Sequence, residues 1–318
     1  MSGKNKWIQL GMLAVIMLVL PAFFPSGYYY RVGALIYVNA LSVLGLVVLI
    51  GYAGQISLGH AGFAGIGAYS CALAPVHLGI HPALAVLLGA AVSGVMALLI
   101  GRPILRLKGY YLAVATLGFG ILVTMVLSNE RGLTGGPDGM PVPDLGLRPL
   151  LRDLGLRLSG GEFWYIANAV VLLIGAWIAL NLFQSATGRA MRALHGSETA
   201  ARTVGIDVAR YKLQAFVISA VYASVAGSLL ALQNGFITPD VAGFMHSVEM
   251  VTMAVLGGVG SVLGATLGAA ILTLLPQVLT VFADYEQLVL GGVMILVMIF
   301  LPLGLLPSIA ARIRWRGV

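Results

Sequence analysis

Charge, cysteine and every common motif for holding a nucleotide, a metal or a nucleophile are scarce or absent in this 318-residue chain. Charged residues make up 9% of it, against about 25% in a soluble domain, while hydrophobic residues reach 59%. This composition excludes an ordinary soluble domain and implies an integral membrane protein. The only lysines are Lys4, Lys6, Lys108 and Lys212, and no G-x-x-x-x-G-K-[ST] occurs, so the chain has no P-loop for ATP. His60, His77, His81, His195 and His246 show neither H-E-x-x-H nor Cys/His ligand spacing, and no G-x-S-x-G elbow or paired intramembrane carboxylates occur. Neither intrinsic catalysis nor a metal or cofactor of its own is expected. The lone Cys71 lies inside an apolar run, where it cannot form an intramolecular disulfide and reads as a small packing residue.

What the chain has in abundance is apolar runs. A helix needs about 20 such residues to cross a hydrocarbon core ~30 Å thick. Candidates are Ile8–Phe24, Ala34–Ile50, Ala61–Leu78, Ala83–Ile100, Tyr110–Leu127, Phe163–Phe183, Leu213–Leu232, Ser247–Leu256, Val262–Leu279 and Leu288–Leu301. The expectation is therefore an all-α membrane protein with about ten spans in a single domain, 1–318. A β-barrel would show alternating segments of about ten residues in place of long apolar runs. Lys4, Lys6 and the run behind them resemble a signal peptide, but "LPAFFPSGYYY" holds no small-x-small cleavage site, so an uncleaved first span is expected.

Ten spans place both termini on one side, and cytoplasmic segments are enriched in Lys and Arg. That side holds Lys4, Lys6, Arg102, Arg106, Lys108, Arg189, Arg192, Arg202, Arg210, Lys212, Arg312, Arg314 and Arg316, thirteen of the eighteen basic residues, with two acids. The other side holds Arg31, Arg131, Arg148, Arg152 and Arg157 with nine acids. The net charge of +7 is thus a topology signal, with cytoplasmic termini, and not a nucleic-acid patch.

Two hydrophilic segments interrupt the runs. The outer loop, 129–162, contains "TGGPDGMPVPD" and then Leu150, Leu151, Leu154 and Leu158 at the spacing of a short surface helix. The inner loop, 184–212, offers Thr187 as a helix cap, Gly205 as a helix end and Asp207 as the next cap.

Glycine concentrates in two places, "GYAGQISLGHAGFAGIGAYS" at 51–70 and "LGGVGSVLGATLGAA" at 256–270. Gly260, Gly264 and Gly268 form GxxxGxxxG, a pattern that lets helices approach closely in lipid. One cluster in each half of a chain is also how transporters interrupt paired helices around a path, although plain helix packing explains about half of such glycines. The first cluster, over Gly51 to Gly59, is expected to be an unwound or re-entrant turn, because non-helical backbone at membrane depth survives only where protein or a watery cavity satisfies it. Gln55, Ser57 and His60, with Gly54 and Gly59, are the candidate lining of a path for an uncharged or zwitterionic solute; the bland alternative is that these polar groups only satisfy the turn. Glu249 alone among the acids falls within an apolar run, at the outer end of the eighth, where it either pairs locally or lines the mouth.

These residues carry a resemblance. "GYAGQISLGHAGFAGIGAY", "KGYYLAVATLGFG", "LTGGPDG", "GRAMRALHGSETAARTVGIDVARYKLQAFVISA" and "VLGGVGSVLGATLGAA" are similar, in the same order and over most of 34–305, to blocks of the LivM-type permeases of branched-chain amino acid ABC transporters. The resemblance implies a helical architecture like that of ribose-type permeases and a multi-pass subunit of a bacterial inner-membrane importer. Its implied partners are a homologous LivH-type permease, two cytoplasmic ATPases that use ATP and Mg, a periplasmic binding protein and the surrounding lipid. Relatives also carry other amino acids, amides or urea, so the resemblance leaves the solute open. A same-class permease for another small solute and an ion-coupled secondary transporter are the competing readings.

In such importers the inner loop receives the ATPase stroke. Arg189 to Gly205 is expected to form the coupling helix, with Arg189, Arg192, Glu198, Ala200, Ala201 and Gly205 as its key residues. "AARTVG" follows the Ala-Ala-x-x-x-Gly core of the importer loop motif, with Glu198 one residue earlier than the usual acid. "RALHGSETAA" also departs from relatives by leaving Glu198 as the only acid before Ala200, which removes charge from any ATPase contact. The plainer alternative is a basic loop that only sets topology.

Overall fold

A computed structural model of the chain describes residues 3–146 and 158–278, with scattered positions between 288 and 308. The apolar runs are helical because lipid offers backbone groups no hydrogen-bond partner and a helix pairs them within one segment. In order these are α1 (Gly3–Val19), α2 (Gly27–Leu46), α3 (His60–Leu78), α4 (Pro82–Ile104), α5 (Tyr110–Asn129), the short α6 (Arg131–Thr134) and α7 (Gly160–Gln184). There follow α8 (Ala186–Gly196), α9 (Glu198–Thr203), α10 (Val208–Asn234), α11 (Phe244–Gly257) and α12 (Val262–Val278).

Seven helical stretches are long and apolar enough to cross a membrane: Lys6–Phe23, Gly27–Tyr52, His60–Leu78, Pro82–Ile104, Tyr110–Asn129, Gly160–Gln184 and Val208–Asn234. The eighth and ninth expected spans are α11 and α12, described over 14 and 17 residues, against roughly 17 to 25 for a helix that crosses. The tenth, Leu288–Leu301, is described only at 288, 291, 292, 295, 296 and 299, each of them helical, and the surface helix expected over 150–158 falls almost wholly outside the described residues.

The core is built around α2 and α10. Helix α10 lies along α3, α4 and α2, and α2 packs in turn on α7 and α12. By contrast α1 and α4 present Trp7, Ile8, Leu18, Leu87 and Leu99 outward, as a surface facing lipid tails does. Where apolar burial gives no drive between helices, close backbone approach supplies the attraction instead. A Cβ on Gly67 of α3 would overlap the Ser224 carbonyl of α10, and one on Gly227 of α10 would overlap the Ala64 carbonyl of α3. Ser228 donates to the Gly67 carbonyl across the same seam at 2.9 Å.

The second glycine cluster works through different residues from those its spacing suggests. Gly264 and Gly268 meet the backbone of α11 at Gly257 and Met253. A Cβ on Gly260 would meet nothing, because Gly258, at φ +104°, ends α11 and leaves Gly260 in the turn before α12.

The two ends of the bundle are chemically distinct. At one end the Tyr37 hydroxyl donates to that of Tyr165 at 2.6 Å, and Tyr165 donates to the Met17 carbonyl at 2.8 Å, which joins α1, α2 and α7. Also at this end a two-strand ladder pairs β1 (Met140–Pro141) with β2 (Phe236–Ile237), tying the loop after α6 to the end of α10. The opposite end gathers Lys6, which donates to Asn181 at 2.8 Å, with the end of α4 and the whole α8–α9 segment. Each described segment that carries the inner-side bases of the charge arithmetic therefore lies at one end.

Gly227→Leu is expected to cost about 1–3 kcal/mol of stability through overpacking at the α3–α10 seam. Gly118→Leu, in open space on α5, serves as the control. Unfolding midpoints in detergent, followed by circular dichroism, should fall for the first and hold for the second.

Candidate functional site

Helix α2 ends in a π-helical stretch, Val47–Tyr52, a widened form of helix frequent at functional sites. Residues 54–59 then run without helix until His60 begins α3. Gly54, at φ +65°, makes the turn that leaves the helix, a left-handed conformation open to glycine at little cost. Three backbone amides of the break are satisfied by protein. Gly54 N donates to Ile50 O at 3.2 Å, Gln55 N to Leu49 O at 3.1 Å, and Leu58 N to the Thr116 hydroxyl of α5 at 3.1 Å. The first turn of α3 is held by α11, since Ala61 N donates to Ser247 Oγ at 3.0 Å.

Ser57 and His60 sit deep in this arrangement, the imidazole with no exposed surface. Its Nδ1 is 2.8 Å from Ser57 Oγ and its Nε2 is 2.6 Å from Ser219 Oγ of α10, so both ring nitrogens have protein partners. Phe63 and Phe216 close around the ring edge-on. Gly59 is pressed against α5, where a Cβ would overlap the Thr116 carbonyl. Gln55 differs from its neighbours. Its side chain is buried, yet neither amide atom has a hydrogen-bond partner among the described residues, an arrangement that is costly and rare in interiors.

The two glycine clusters, 200 residues apart in sequence, meet. A Cβ on Gly51 would overlap the carbonyl of Val259, in the turn between α11 and α12. A pocket beside this junction is lined by Tyr52, Gln184, Arg189, Arg192, Gly260 and Ser261. Glu249 stands apart from the break on α11, half-exposed, with His246 Nδ1 3.4 Å from its carboxylate. Among the described residues no three His, Cys, Asp or Glu side chains gather as a metal site.

The inner loop contains two helices in place of the single coupling helix expected over Arg189 to Gly205. Ser197, extended at φ −163°, interrupts it and caps α9 by accepting from Ala200 N at 3.2 Å. The cap of α8 is Ser185, which accepts from Gly188 N at 3.1 Å, and not Thr187, because Gln184 already closes α7 and the new helix begins at Ala186. Gly205, at φ +82°, ends α9, and the Asp207 carboxylate accepts from Arg210 N at 3.1 Å to start α10.

Arg189 and Arg192 serve the loop itself. They donate to the carbonyls of Gln184 and Phe183, the usual place for cations at a helix C-terminus, and Arg192 lies 5.5 Å over the Tyr52 ring, which is stacked on Phe183. Glu198 forms an ion pair with the buried Lys212 of α10, so its charge is engaged within the chain. Of the two alanines, Ala201 is buried under Leu194 and Val208, and only Ala200 faces outward. Val204, which the sequence reading passed over, is 74% exposed one turn beyond Ala200 and gives α9 an apolar tip. An apolar residue between Ala-Ala and Gly in a polar loop was the available signal. The loop also reaches the break, because Gly54 packs on His195 of α8, with 3.1 Å from a built Cβ to Nδ1.

Seven membrane-length helices, with a break after the second of them and a two-helix basic segment touching that break, make this a multi-pass helical membrane protein. The chain belongs to the family described as "Branched-chain amino acid transport system / permease component", which matches residues 29–298. It is 35% identical to the high-affinity branched-chain amino acid transport system permease protein LivM of Salmonella typhimurium, over 86% of this chain and 69% of the relative. It is 33% identical to LivM of Escherichia coli, over 99% and 79%. The ribose import permease protein RbsC of Escherichia coli is 26% identical over 93% and 92%. No solved structure matches the chain.

Ser219→Ala is expected to cost about 1–3 kcal/mol, because it strands a ring nitrogen of a fully buried His60. Ser70→Ala, whose hydroxyl only bonds its own helix at Ile66, is the comparison. Equal unfolding midpoints for the two variants would show that the Ser57–His60–Ser219 chain does not hold the break.

Proposed function

We propose that this chain is a membrane-spanning permease subunit of a binding-protein-dependent ABC importer that moves branched-chain or related amino acids across the bacterial inner membrane. It spans ten times with both termini cytoplasmic. A LivH-type permease pairs with it, two cytoplasmic ATPases hydrolyse ATP, and a periplasmic protein delivers the solute. The single observation that carries this reading is the packing of Gly54 on His195, which puts the broken span in contact with the segment best suited to receive an ATPase.

Each element has a role in this scheme. Ala200 and Val204, on the exposed face of α9, enter a groove of the ATPase. The Glu198–Lys212 pair and the α8 contact pass the displacement to α10 and to the break, as a rigid-body shift of short packed elements. Within the break, Gln55 has hydrogen-bonding capacity that the described residues leave unused, and it takes the polar groups of the solute. Ser57 and His60 hold the break in shape, and Glu249 belongs to the outer mouth. An uncharged lining suits a zwitterion that must be released as readily as it is taken up. The relatives named for branched-chain amino acid transport favour that solute class over ribose by their higher identity.

Reconstitution with the ATPases and the binding protein in proteoliposomes tests the scheme. Ala200→Trp and Val204→Asp, both on exposed positions, should leave the subunit folded while reducing solute-stimulated ATP hydrolysis about tenfold or more, the scale on which burying a charge in an interface core acts. Normal stimulated hydrolysis in both variants would remove α9 from the coupling contact. Uptake driven by an ion gradient without ATPases would instead establish a secondary transporter.

Gln55→Leu makes a second, opposite-signed prediction. Removing two unpaired buried polar atoms should hold or raise the unfolding midpoint, while leucine uptake falls. Wild-type uptake would take Gln55 out of the path.

A further inference from the structure

The basic end of the bundle holds more positive charge than the break and the coupling contact use. Arg102, Arg106 and Lys108 at the end of α4, Arg202 on α9, and Arg210 and Lys212 at the start of α10 line one pocket. Glu198 is its one acidic lining residue and is already paired with Lys212. Five cations thus converge without a carboxylate of their own in the lining, next to the first turn of α10, where Val208 and Ala209 also line the pocket. A long helix carries partial positive charge at that terminus. Like charges gathered this way repel one another, and an anion seated among them relieves the repulsion.

The position of the pocket selects the anion. On α4, Leu88, Val92, Val95 and Leu99 recur at steps of four, three and four residues and are all exposed, forming an apolar stripe. Arg102 continues the stripe at the same spacing and is exposed. One face of the helix therefore runs from tail-compatible side chains directly into the pocket. Tyr110 and Tyr111, exposed by 78% and 72% at the start of α5, mark the same level with the aromatic residues typical of a membrane interface. A ligand with an anionic head and apolar tails matches both parts, whereas a soluble anion uses only the first.

We propose that this pocket is a binding site for the phosphate headgroup of an anionic phospholipid, whose acyl chain lies along the Leu88–Leu99 stripe. The lipid bridges α4 to α9 and α10, so it fastens the loop segment to the membrane-spanning bundle. Basic pockets between spans at the cytoplasmic surface are suited to such headgroups. The leaflet follows from the orientation proposed above, but the binding does not, because a nanodisc offers the lipid on both faces.

The test uses the full chain in phosphatidylcholine nanodiscs containing a small fraction of phosphatidylglycerol with a photoreactive headgroup. Crosslinks mapped by mass spectrometry should fall in 101–108 and 202–213. They should decline by about fivefold for each arginine removed in Arg106→Gln/Arg210→Gln, and return in Arg106→Lys/Arg210→Lys. A second pair, Arg102→Gln/Lys108→Gln, guards against a folding defect in the first. Excess inorganic phosphate should not compete.

Equal labelling by a phosphatidylcholine probe, undiminished labelling in both charge-removing pairs, or displacement by inorganic phosphate would each overturn the proposal. Displacement by the ATPase subunits when they are added would assign the pocket to a protein carboxylate surface instead. None of these outcomes depends on transport, so failure here leaves the importer reading standing, and failure of that reading leaves this site standing.

Discussion

Everything in this structure is arranged around backbone that leaves the helix within the membrane-spanning bundle. Lipid cannot bond the freed amides and carbonyls, so the protein must do so from neighbouring helices. It does this with short hydroxyl side chains, Thr116 from α5 accepting from Leu58 N and Ser247 from α11 accepting from Ala61 N, while Ser219 from α10 partners the His60 ring. Such side chains add hydrogen-bonding groups without the bulk that would separate the helices. The glycines of the same seams have the matching role, letting α5 and the α11–α12 turn approach closely enough for those bonds to form.

Helix α10 links this core to the rest. It starts at the Asp207 cap, holds Glu198 through Lys212, meets His60 through Ser219 seven residues later, and finishes beside the β1–β2 ladder. Seven residues of helix rise about 10.5 Å, so the loop contact and the break contact lie about two turns apart on one stiff element. The same helix borders the basic pocket through Arg210. A headgroup bound there and an ATPase bound at Ala200 and Val204 would thus act on neighbouring parts of one mechanical unit.

The sequence made the framework legible. Hydropathy located the seven long helices, closely for Tyr110–Asn129 (expected Tyr110–Leu127) and seven residues late for Gly27–Tyr52 (expected Ala34–Ile50), because the need for an uninterrupted apolar helix is local and repeats along the chain. The break at 54–59 was visible as glycine and polar residues in an apolar context. The inner loop was less visible, since Ser185 and Thr187 are both acceptable caps for α8 and only the end of α7 decides between them, and nothing local singles out Ser197 as the point of division. Ala200 and Ala201 look alike in sequence, yet the phase of α9 against Val208 buries one and exposes the other.

By itself, then, the sequence determined the membrane class, the segregation of basic residues and the approximate extent of the long apolar helices, since each follows from properties of neighbouring residues. The tertiary structure alone decided which groups meet. Gly51 reaches Val259, Gly54 reaches His195, His60 is closed off between two serines, and Gln55 is left buried without a protein partner among the described residues. Those outcomes depend on how helices far apart in the chain pack across one another, and no local periodicity encodes that distance.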